Sequence, residues 1–211
     1  MKKRLALGII TTLILSTGVA MAAPTEVEEG KWNVNAGVMF SPDSEVDDGD
    51  GGPDLDSDTS FYGGVTYGIT DKWGVQIDYS HYDSSIGIAD VKLDATEFNV
   101  LYSLNPNLNL YAGYVYAGAN LDASSVNFSA GSHTDGFQVG VGGWYPLGDK
   151  FKTFGKVGIG NNSRIYEIGF SYALSDNWDV DLSYRDAEYK DMEDVLDVSY
   201  DGVRLGVSTS F

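Results

Sequence analysis

Hydrophobic and polar positions alternate with a period of two over most of the chain beyond residue 30. The last segment, Val203 to Phe211, shows this clearly, since every odd position is apolar or Thr and every even position is polar or Gly. Successive side chains of a β-strand point to opposite faces, so this period predicts strands. The alternating runs give ten predicted strands, at residues 31–40, 60–69, 73–82, 92–104, 108–118, 135–146, 151–160, 164–174, 178–186 and 200–211.

Short turns and longer polar connections follow one another along the chain. Tight turn signals separate strand pairs at residues 70–72, 105–107, 147–150 and 175–177. Most of the other connections are longer and polar, at residues 41–59, 83–91, 119–134 and 187–199. The connection at residues 161–163 belongs to the same set but is short. Short turns on one side and longer loops on the other are typical of outer-membrane barrels, whose short turns face the periplasm.

The two faces of the predicted sheet differ in polarity. One face carries apolar side chains such as Trp73 and Ile77, and the other carries polar ones such as Gln76 and Asp78. A soluble barrel or sandwich also alternates, with its apolar face inside. Three features favour a membrane barrel: the terminal Phe211, the unequal loops, and aromatic residues where strands meet turns. We predict an all-β fold, a transmembrane antiparallel up-and-down β-barrel with ten strands, and keep eight strands as the alternative.

Aromatic residues form two predicted belts at the ends of the strands. Amphipathic rings prefer the headgroup layer of a membrane, so the belts indicate where the two interfaces lie. The periplasmic belt comprises Trp32, Tyr67, Trp73, Tyr102, Tyr145, Phe151, Tyr172, Trp178 and Phe211, and the opposite belt comprises Tyr79, Tyr116, Tyr166 and Tyr184.

The N-terminus follows a different pattern. A basic start at residues 2–4 precedes an apolar run over residues 5–19 and a small-x-small sequence at residues 20–22, as in a cleaved secretory signal peptide. The run is shorter than the roughly 20 residues of a spanning helix, and Thr, Ser and Gly interrupt it. We predict a signal peptide at residues 1–22, a short periplasmic tail at 23–30 and the barrel at 31–211.

Charge and cysteine content narrow the classes of function. The sequence has 13 Lys and Arg against 31 Asp and Glu, and loss of the three bases in residues 2–4 leaves a net charge near −21. Such a protein does not attract nucleic acid. The absence of Cys excludes disulfides, thiolate metal sites and a thiol nucleophile. The expected partners are outer-membrane lipids of a diderm bacterium, with no nucleic acid and no cofactor.

Several turn-and-strand segments resemble a known family. They are Trp144–Phe151, Phe154–Gly160, Gly169–Trp178 and Gly202–Phe211. These segments are similar to small outer-membrane β-barrel proteins of the opacity and OmpA-barrel type, over most of the mature chain, and they carry no catalytic signature. The resemblance implies that the barrel assembly machinery recognises the C-terminal strand through Phe211. The chain departs from the usual eight strands by a further hairpin, which we place around residues 105–107.

Nine ionisable residues lie on the polar face, which points into the lumen of a barrel. Five are acidic and four are basic: Asp78, Glu97, Glu167, Asp179 and Asp181, and Lys152, Lys156, Arg185 and Arg204. Isolated charges in a narrow, partly dehydrated interior are costly, so the near balance indicates mutual pairing. The lumen is then either a structural plug or a narrow water-filled pore whose charges tune solute choice. A barrel of about ten strands does not decide between them by its size.

The loop at residues 41–59 is strongly acidic and has no base. Its carboxylates Asp47, Asp48 and Asp50 are the candidates for Ca²⁺ coordination through oxygen ligands. The segment lacks the EF-hand register and its distal bidentate Glu. We therefore expect a solvated, self-repelling surface loop and no metal site.

Two His-x-Asp sequences, His81–Asp83 and His133–Asp135, fall at the extracellular ends of strands. Outer-membrane aspartyl proteases that resemble a ten-stranded barrel use acidic and His residues at that end. Both His residues here follow the lipid-facing set of positions, and the loops are short for a substrate cleft. We expect ordinary polar rim residues and no enzyme.

The resulting hypothesis is a non-enzymatic outer-membrane barrel that contributes to envelope structure and surface interaction. A small passive porin-like channel for solutes is the first alternative. An adhesin that acts through acidic extracellular loops is the second. The sequence predicts no ligand and no oligomeric state.

Overall fold

The computed structural model describes residues 27–47, 54–57, 59–86, 89–123, 128–192 and 196–211. The strands are β1 (Trp32–Asp47), β2 (Asp54–Ser57), β3 (Ser60–Gly68), β4 (Trp73–Ile86), β5 (Ala89–Asn105), β6 (Leu108–Ala123), β7 (Phe128–Pro146), β8 (Phe151–Gly160), β9 (Ser163–Ala173), β10 (Trp178–Met192) and β11 (Leu196–Ser210). Each strand pairs antiparallel with its neighbours, and β11 pairs with β1, so the sheet closes into a barrel. Within these ranges no helix is long and apolar enough to cross a membrane.

The barrel has ten strand positions, although it contains 11 strands. β3 pairs with β1 and β4 in their periplasmic parts, and β2 pairs with the same two strands nearer the extracellular end. β2 therefore continues the line of β3, and the two share one position. The predicted count of ten is confirmed, and the alternative of eight is wrong.

The seam between the first and last strands closes at the C-terminal residue. The Trp32 amide donates to the Phe211 carbonyl over 2.9 Å, and the Phe211 amide donates to the Trp32 carbonyl over 3.0 Å. The ladder continues upward from Asn33 opposite Ser210. Phe211 thus completes the backbone hydrogen bonding that a strand in a membrane requires.

The strands are longer than the sequence predicted. β7 has 19 residues and β5 has 17, so the predicted loops at 83–91, 119–134 and 187–199 consist largely of strand. Long loops were therefore the wrong prediction for these regions. Of the predicted loop at 41–59, residues 41–47 belong to β1 and residues 54–57 to β2, whereas residues 48–53 and 58 lie outside the described part of the chain.

The polarity of the two faces reverses along each long strand, which explains the error. In the periplasmic half of β5, Phe98 points outward with 50% exposure, and Glu97 points inward with 2% exposure. In the extracellular half, Leu93 points inward with 0% exposure and Asp94 points outward. The period of two continues, but the polar residues have moved to the outer face. A polar stretch that reads as a loop is therefore a strand in water.

The inward apolar residues of the extracellular half form a core, which we call the apolar cap. It comprises Met39, Tyr82, Leu93, Ala95, Val115, Ala117, Ile165, Ala187, Tyr189, Met192, Val198 and Tyr200. Several of these side chains are fully buried, and the Tyr82 and Tyr200 rings stack with centroids 4.4 Å apart. This half of the barrel is packed like a soluble β-barrel, with its apolar side chains inside.

Tyrosine residues mark the height at which the outer face changes polarity. In three places a tyrosine hydroxyl donates to a carboxylate that lies on the next strand, two positions further toward the extracellular end. The pairs are Tyr79 with Asp94, Tyr114 with Asp135, and Tyr184 with Asp201. An aromatic body in hydrocarbon with its hydroxyl directed to a polar partner is the arrangement expected at a membrane interface.

Cross-strand aromatic pairs mark the opposite, periplasmic boundary. Their ring centroids are 4.6 to 4.9 Å apart, for Trp32 with Tyr67, Trp73 with Tyr102, and Phe151 with Tyr172. The two levels delimit an outer surface that is apolar between them. The membrane-spanning part of the barrel therefore lies between the two levels.

The reversal of polarity predicts opposite effects of two neighbouring substitutions in β5. Leu93→Ala removes a fully buried side chain of the apolar cap, and we expect a loss of about 2–5 kcal/mol in the free energy of unfolding. Lys92→Ala changes an exposed outward side chain and should stay within about 0.5 kcal/mol of the parent. Urea unfolding in phospholipid vesicles, followed by tryptophan fluorescence, measures both. Equal effects would contradict the reversal.

Candidate functional site

The structure places all nine predicted lumen residues on the inner face of the barrel. They come from β4, β5, β8, β9, β10 and β11, always at positions of the same parity as neighbouring inward residues. Asp78 and Glu167 are half-buried, and the other seven are buried. The sequence pattern alone therefore located these side chains, although it did not give their partners.

Six of the nine side chains form one cluster, which we call the central ion network. It comprises Asp78, Glu97, Glu167, Lys156, Arg185 and Arg204. Glu97 lies at its centre, because its Oε2 is 2.8 Å from Lys156 Nζ and its Oε1 is 2.5 Å from Arg185 Nη2. These contacts connect β5 to β8 and β10 across the lumen.

The remaining charges of the central ion network extend from this centre. Lys156 Nζ also lies 3.0 Å from Asp78 Oδ2. Arg185 Nη1 is 3.4 Å from Glu167 Oε2, and Arg204 Nη1 is 3.9 Å from the same oxygen. Three acids thus face three bases, so the network is neutral when all six groups are charged. Mutual pairing of this kind offsets part of the cost of removing the charges from water.

Neutral side chains satisfy further donors and acceptors of the network. Gln138 Nε2 donates to Glu97 Oε2 over 3.1 Å and to Asn99 Oδ1 over 2.8 Å. On the extracellular side, Arg204 Nη2 donates to the Ser80 hydroxyl over 2.9 Å and to the Tyr82 hydroxyl over 3.1 Å. Because Tyr82 belongs to the apolar cap, this hydrogen bond connects the network to the cap.

Sequence reasoning missed two aromatic residues that line the lumen, Tyr62 and Tyr111. Arg204 lies over the Tyr62 ring at 4.3 Å, and Lys156 lies over the Tyr111 ring at 5.2 Å. Both contacts are within cation–π range. The parity of the strand contained the signal, since Tyr111 lies between the lipid-facing positions Leu110 and Ala112.

The other three lumen charges lie nearer the periplasmic mouth. The Ser171 hydroxyl donates to the Asp181 carboxylate, and Lys152 Nζ lies over the Trp144 ring at 4.8 Å. A hollow of about 220 Å³ opens there, with Lys152, Asp179 and Trp144 among its lining residues. Lys152 and Asp179 thus line a vestibule below the central ion network, whereas Asp181 lies in the wall of the central cavity.

The space left inside the network is small. A polar cavity of about 40 Å³ lies among the central side chains, with Tyr62, Gln76 and Ser183 in its wall. It has room for a few water molecules and for no larger solute. In the part of the barrel that the structure describes, the centre of the lumen is filled by side chains.

The weaker metal candidates are not assembled into a site by the described residues. Asp47 is the last residue of β1, and Asp48 and Asp50 lie outside the described ranges. Among the residues with described positions, no group of three or more His, Cys, Asp or Glu is placed to hold a metal ion.

His81 is held on both sides by carboxylates on the outer face. Its Nδ1 is 2.7 Å from Asp94 Oδ1, its Nε2 is 3.3 Å from Asp83 Oδ2, and its ring stacks on Phe61 at 4.7 Å. Burial raises the pKa of the Asp94 carboxyl. The hydrogen bonds from Tyr79 and His81 lower this pKa, and because the lowering effects outweigh the effect of burial, the pKa ends below its usual value. Both imidazole nitrogens of His81 therefore have a carboxylate partner.

The second His-x-Asp sequence lies elsewhere on the barrel. His133 belongs to β7, three strands away from β4, which carries His81, and its ring is 6.0 Å from that of Tyr116. The structure does not bring the two His residues together.

Comparison with known proteins gives the family. Residues 11–160 match the family model of the outer membrane protein beta-barrel domain. The chain belongs to this family. It is accordingly a protein of the outer membrane of a Gram-negative bacterium, with a lipid environment around the barrel. No curated protein matches the sequence.

Two solved structures with TM-scores above 0.5 show the same fold, Neisserial surface protein A and OmpT. Neisserial surface protein A is 19% identical, with 87% of this chain and 100% of that chain covered and a TM-score of 0.51. The Escherichia coli outer membrane protease OmpT is 10% identical, with 86% and 97% covered and a TM-score of 0.57. The Yersinia pestis attachment invasion locus protein Ail is 17% identical, with 87% and 99% covered and a TM-score of 0.49. At such identities the likeness concerns the fold alone.

The central ion network predicts a large penalty for loss of its middle carboxylate. Glu97→Gln leaves Lys156 and Arg185 buried with one partner fewer each, and we expect a loss of about 3–5 kcal/mol in the free energy of unfolding. Arg164→Gln breaks the pair between the exposed Arg164 and the half-buried Glu188 on the outer face and should cost at most about 1 kcal/mol. Urea unfolding in vesicles measures both values.

The double variant Glu97→Gln/Arg185→Met is the matched control. Without these two charges, Lys156 still pairs with Asp78 and Arg204 still pairs with Glu167, so the double variant should be more stable than Glu97→Gln alone. A Glu97→Gln variant as stable as the parent would contradict the network.

Proposed function

We propose that this protein is a non-enzymatic outer-membrane barrel with a lumen closed to solutes, which contributes to envelope structure and to interactions at the cell surface. The observation that carries the proposal is the pairing of Glu97 with Lys156 and Arg185 across the lumen. Fixed side-chain contacts between β5, β8 and β10 fill the space that a solute would need. They also brace the barrel wall from inside.

The apolar cap supports the same conclusion from the extracellular side. It fills the interior above the central ion network with residues such as Leu93, Ile165 and Tyr189, all of which have 0% exposure. An ion that crossed this layer would lose its hydration shell without gaining polar partners. The apolar cap and the charged central ion network therefore close the lumen at two successive heights.

The outer face above the tyrosine level supports a surface role. In the described strands, its acidic residues outnumber its basic ones: Asp83, Asp90, Asp94, Asp122, Asp135, Asp186, Glu188, Asp197 and Asp201 against Lys92, Arg164 and Lys190. A rigid, negatively charged rim favours cationic partners and repels anionic ones. Adhesion through this end of the barrel is the finer form of the proposal.

The absence of catalysis is part of the proposal. OmpT shows that a protease can have this fold, but 10% identity extends no activity to this chain. His81 has a carboxylate at each nitrogen, and His133 lies three strands away. A general base needs a free nitrogen within reach of its substrate.

Planar-bilayer recording tests whether the lumen conducts. The refolded mature chain, residues 23–211, should give no reproducible unit conductance in potassium chloride, because the central ion network and the apolar cap fill the lumen. A general porin from the same preparation serves as the positive control. Stepwise conductance that scales with folded protein would contradict the closed lumen and favour a porin-like channel.

Phe211 is proposed as the assembly signal read by the barrel assembly machinery. Its side chain is 62% exposed, while its backbone closes the seam with Trp32. Recognition by the machinery therefore concerns a side chain that the finished barrel does not bury.

The proposed assembly role predicts that deletion of Phe211 affects assembly in cells more than refolding in detergent. Removing Phe211 should lower the yield of heat-modifiable barrel in cells several-fold, whereas refolding in detergent, where no machinery acts, should change little. Phe211→Tyr keeps an aromatic end and is the matched control. Equal cellular yields of the truncated and parent chains would contradict the assembly role.

A further inference from the structure

The chain just before β1 does not point away from the barrel. The Gly30 amide donates to the Gly68 carbonyl over 2.8 Å, and the Gly68 amide donates to the Lys31 carbonyl over 3.0 Å. The Lys31 amide also donates to the Glu28 carbonyl over 3.1 Å. Gly30 has a φ of 74°, a left-handed value that glycine adopts without strain. These bonds reverse the chain at the periplasmic end of β3.

The reversal places Val27 inside the periplasmic mouth. Val27 has 8% exposure and packs with the inward residues Leu101 of β5 and Tyr111 of β6. Room for the segment comes from Gly68, since a Cβ on this residue would collide with the Glu28 carbonyl. The absent side chain of Gly68 thus makes a seat for the incoming backbone.

Val27 lies in line with the central ion network. It shares a buried apolar cluster with Leu101 and Tyr111, and Lys156 Nζ of the network lies over the Tyr111 ring, 5.2 Å from its centroid. From the periplasm inward, the order is Val27, then Tyr111, then Lys156 and Glu97. An apolar side chain therefore separates the periplasm from the lower side of the network.

We infer that residues 27–30 are a stopper that closes the β3–β6 side of the periplasmic mouth. The inference rests on the closed lumen proposed above and names its periplasmic seal. The stopper is a piece of chain, held by a few backbone hydrogen bonds at Gly68 and by one small apolar side chain. It can leave its seat without the breaking of any strand pair, so its departure is a local opening that the rest of the barrel survives.

The position of Val27 determines which inner residues the stopper shields from water. Glu28 and Glu29 stay exposed to the periplasm, while Val27 excludes water from the inner residues above it. Thr66, one inward position above Gly68 on β3, has 1% exposure. Stopper release gives water and small reagents access to this level, whereas the central ion network still closes the lumen above.

Thiol labelling in the cysteine-free chain tests the stopper. Thr66→Cys replaces the hydroxyl by a thiol and removes one methyl group, and within the described residues the Thr66 hydroxyl has no hydrogen-bond partner to lose. A charged methanethiosulfonate reagent should label Cys at position 66 slowly in the folded protein. Val27→Asp, or deletion of residues 23–29, should raise the labelling rate at least about tenfold by unseating the segment.

Glu29→Gln in the same background is the matched control, because it changes an exposed side chain of the same segment and should leave the rate unchanged. Heat-modifiable migration shows that each variant retains a closed barrel, and the deletion serves if Val27→Asp does not fold. Equal labelling rates with and without the stopper would overturn the inference. The Val27→Asp and deletion variants should give no unit conductance in planar bilayers, whether or not residues 27–30 form a stopper. Labelling therefore tests the stopper, and conductance separately tests the closed lumen.

Discussion

Each long strand of this barrel passes through two solvents, and its outer face must match both. Between the periplasmic aromatic pairs and the tyrosine level, outward side chains such as Phe98 meet hydrocarbon; above that level, outward side chains such as Asp94 meet water. Closed antiparallel pairing satisfies the backbone throughout. The side chains then have to reverse their polarity at one height, because the period of two leaves no other adjustment.

The interior follows from that reversal. At membrane height the outer face uses the apolar residues, and the inner face carries the charges that form the central ion network. At extracellular height the outer face uses the charges, and the inner face carries the apolar cap. Tyr82 joins the two fillings, since it belongs to the cap and accepts a hydrogen bond from Arg204.

The sequence alone was sufficient for the fold class, the ten strands and the inward placement of charges such as Glu97 and Arg185, because all three depend on the period of two. The extracellular strand lengths were not predictable in the same way. Residues such as Leu93 in β5 and Tyr189 in β10 keep the period of two. The polar residues next to them resemble a loop if the outer face of every strand is expected to meet lipid along its whole length. Pairings across the lumen, such as Glu97 with Lys156, join residues distant in sequence and depend on strand tilt and register. The seat of Val27 depends on Gly68, whose role only three-dimensional proximity reveals.

Site-directed spin labelling along the outer face of β5 tests the reversal most directly. Nitroxides at Phe98, Thr96, Asp94 and Lys92, introduced singly in vesicles, report collision with oxygen, which concentrates in hydrocarbon, and with a nickel chelate, which stays in water. The account predicts that oxygen dominates at position 98 and the nickel chelate at positions 94 and 92, with the crossover near position 96. Dominance of the nickel chelate at all four positions would contradict it, since the apolar stripe would then not face lipid.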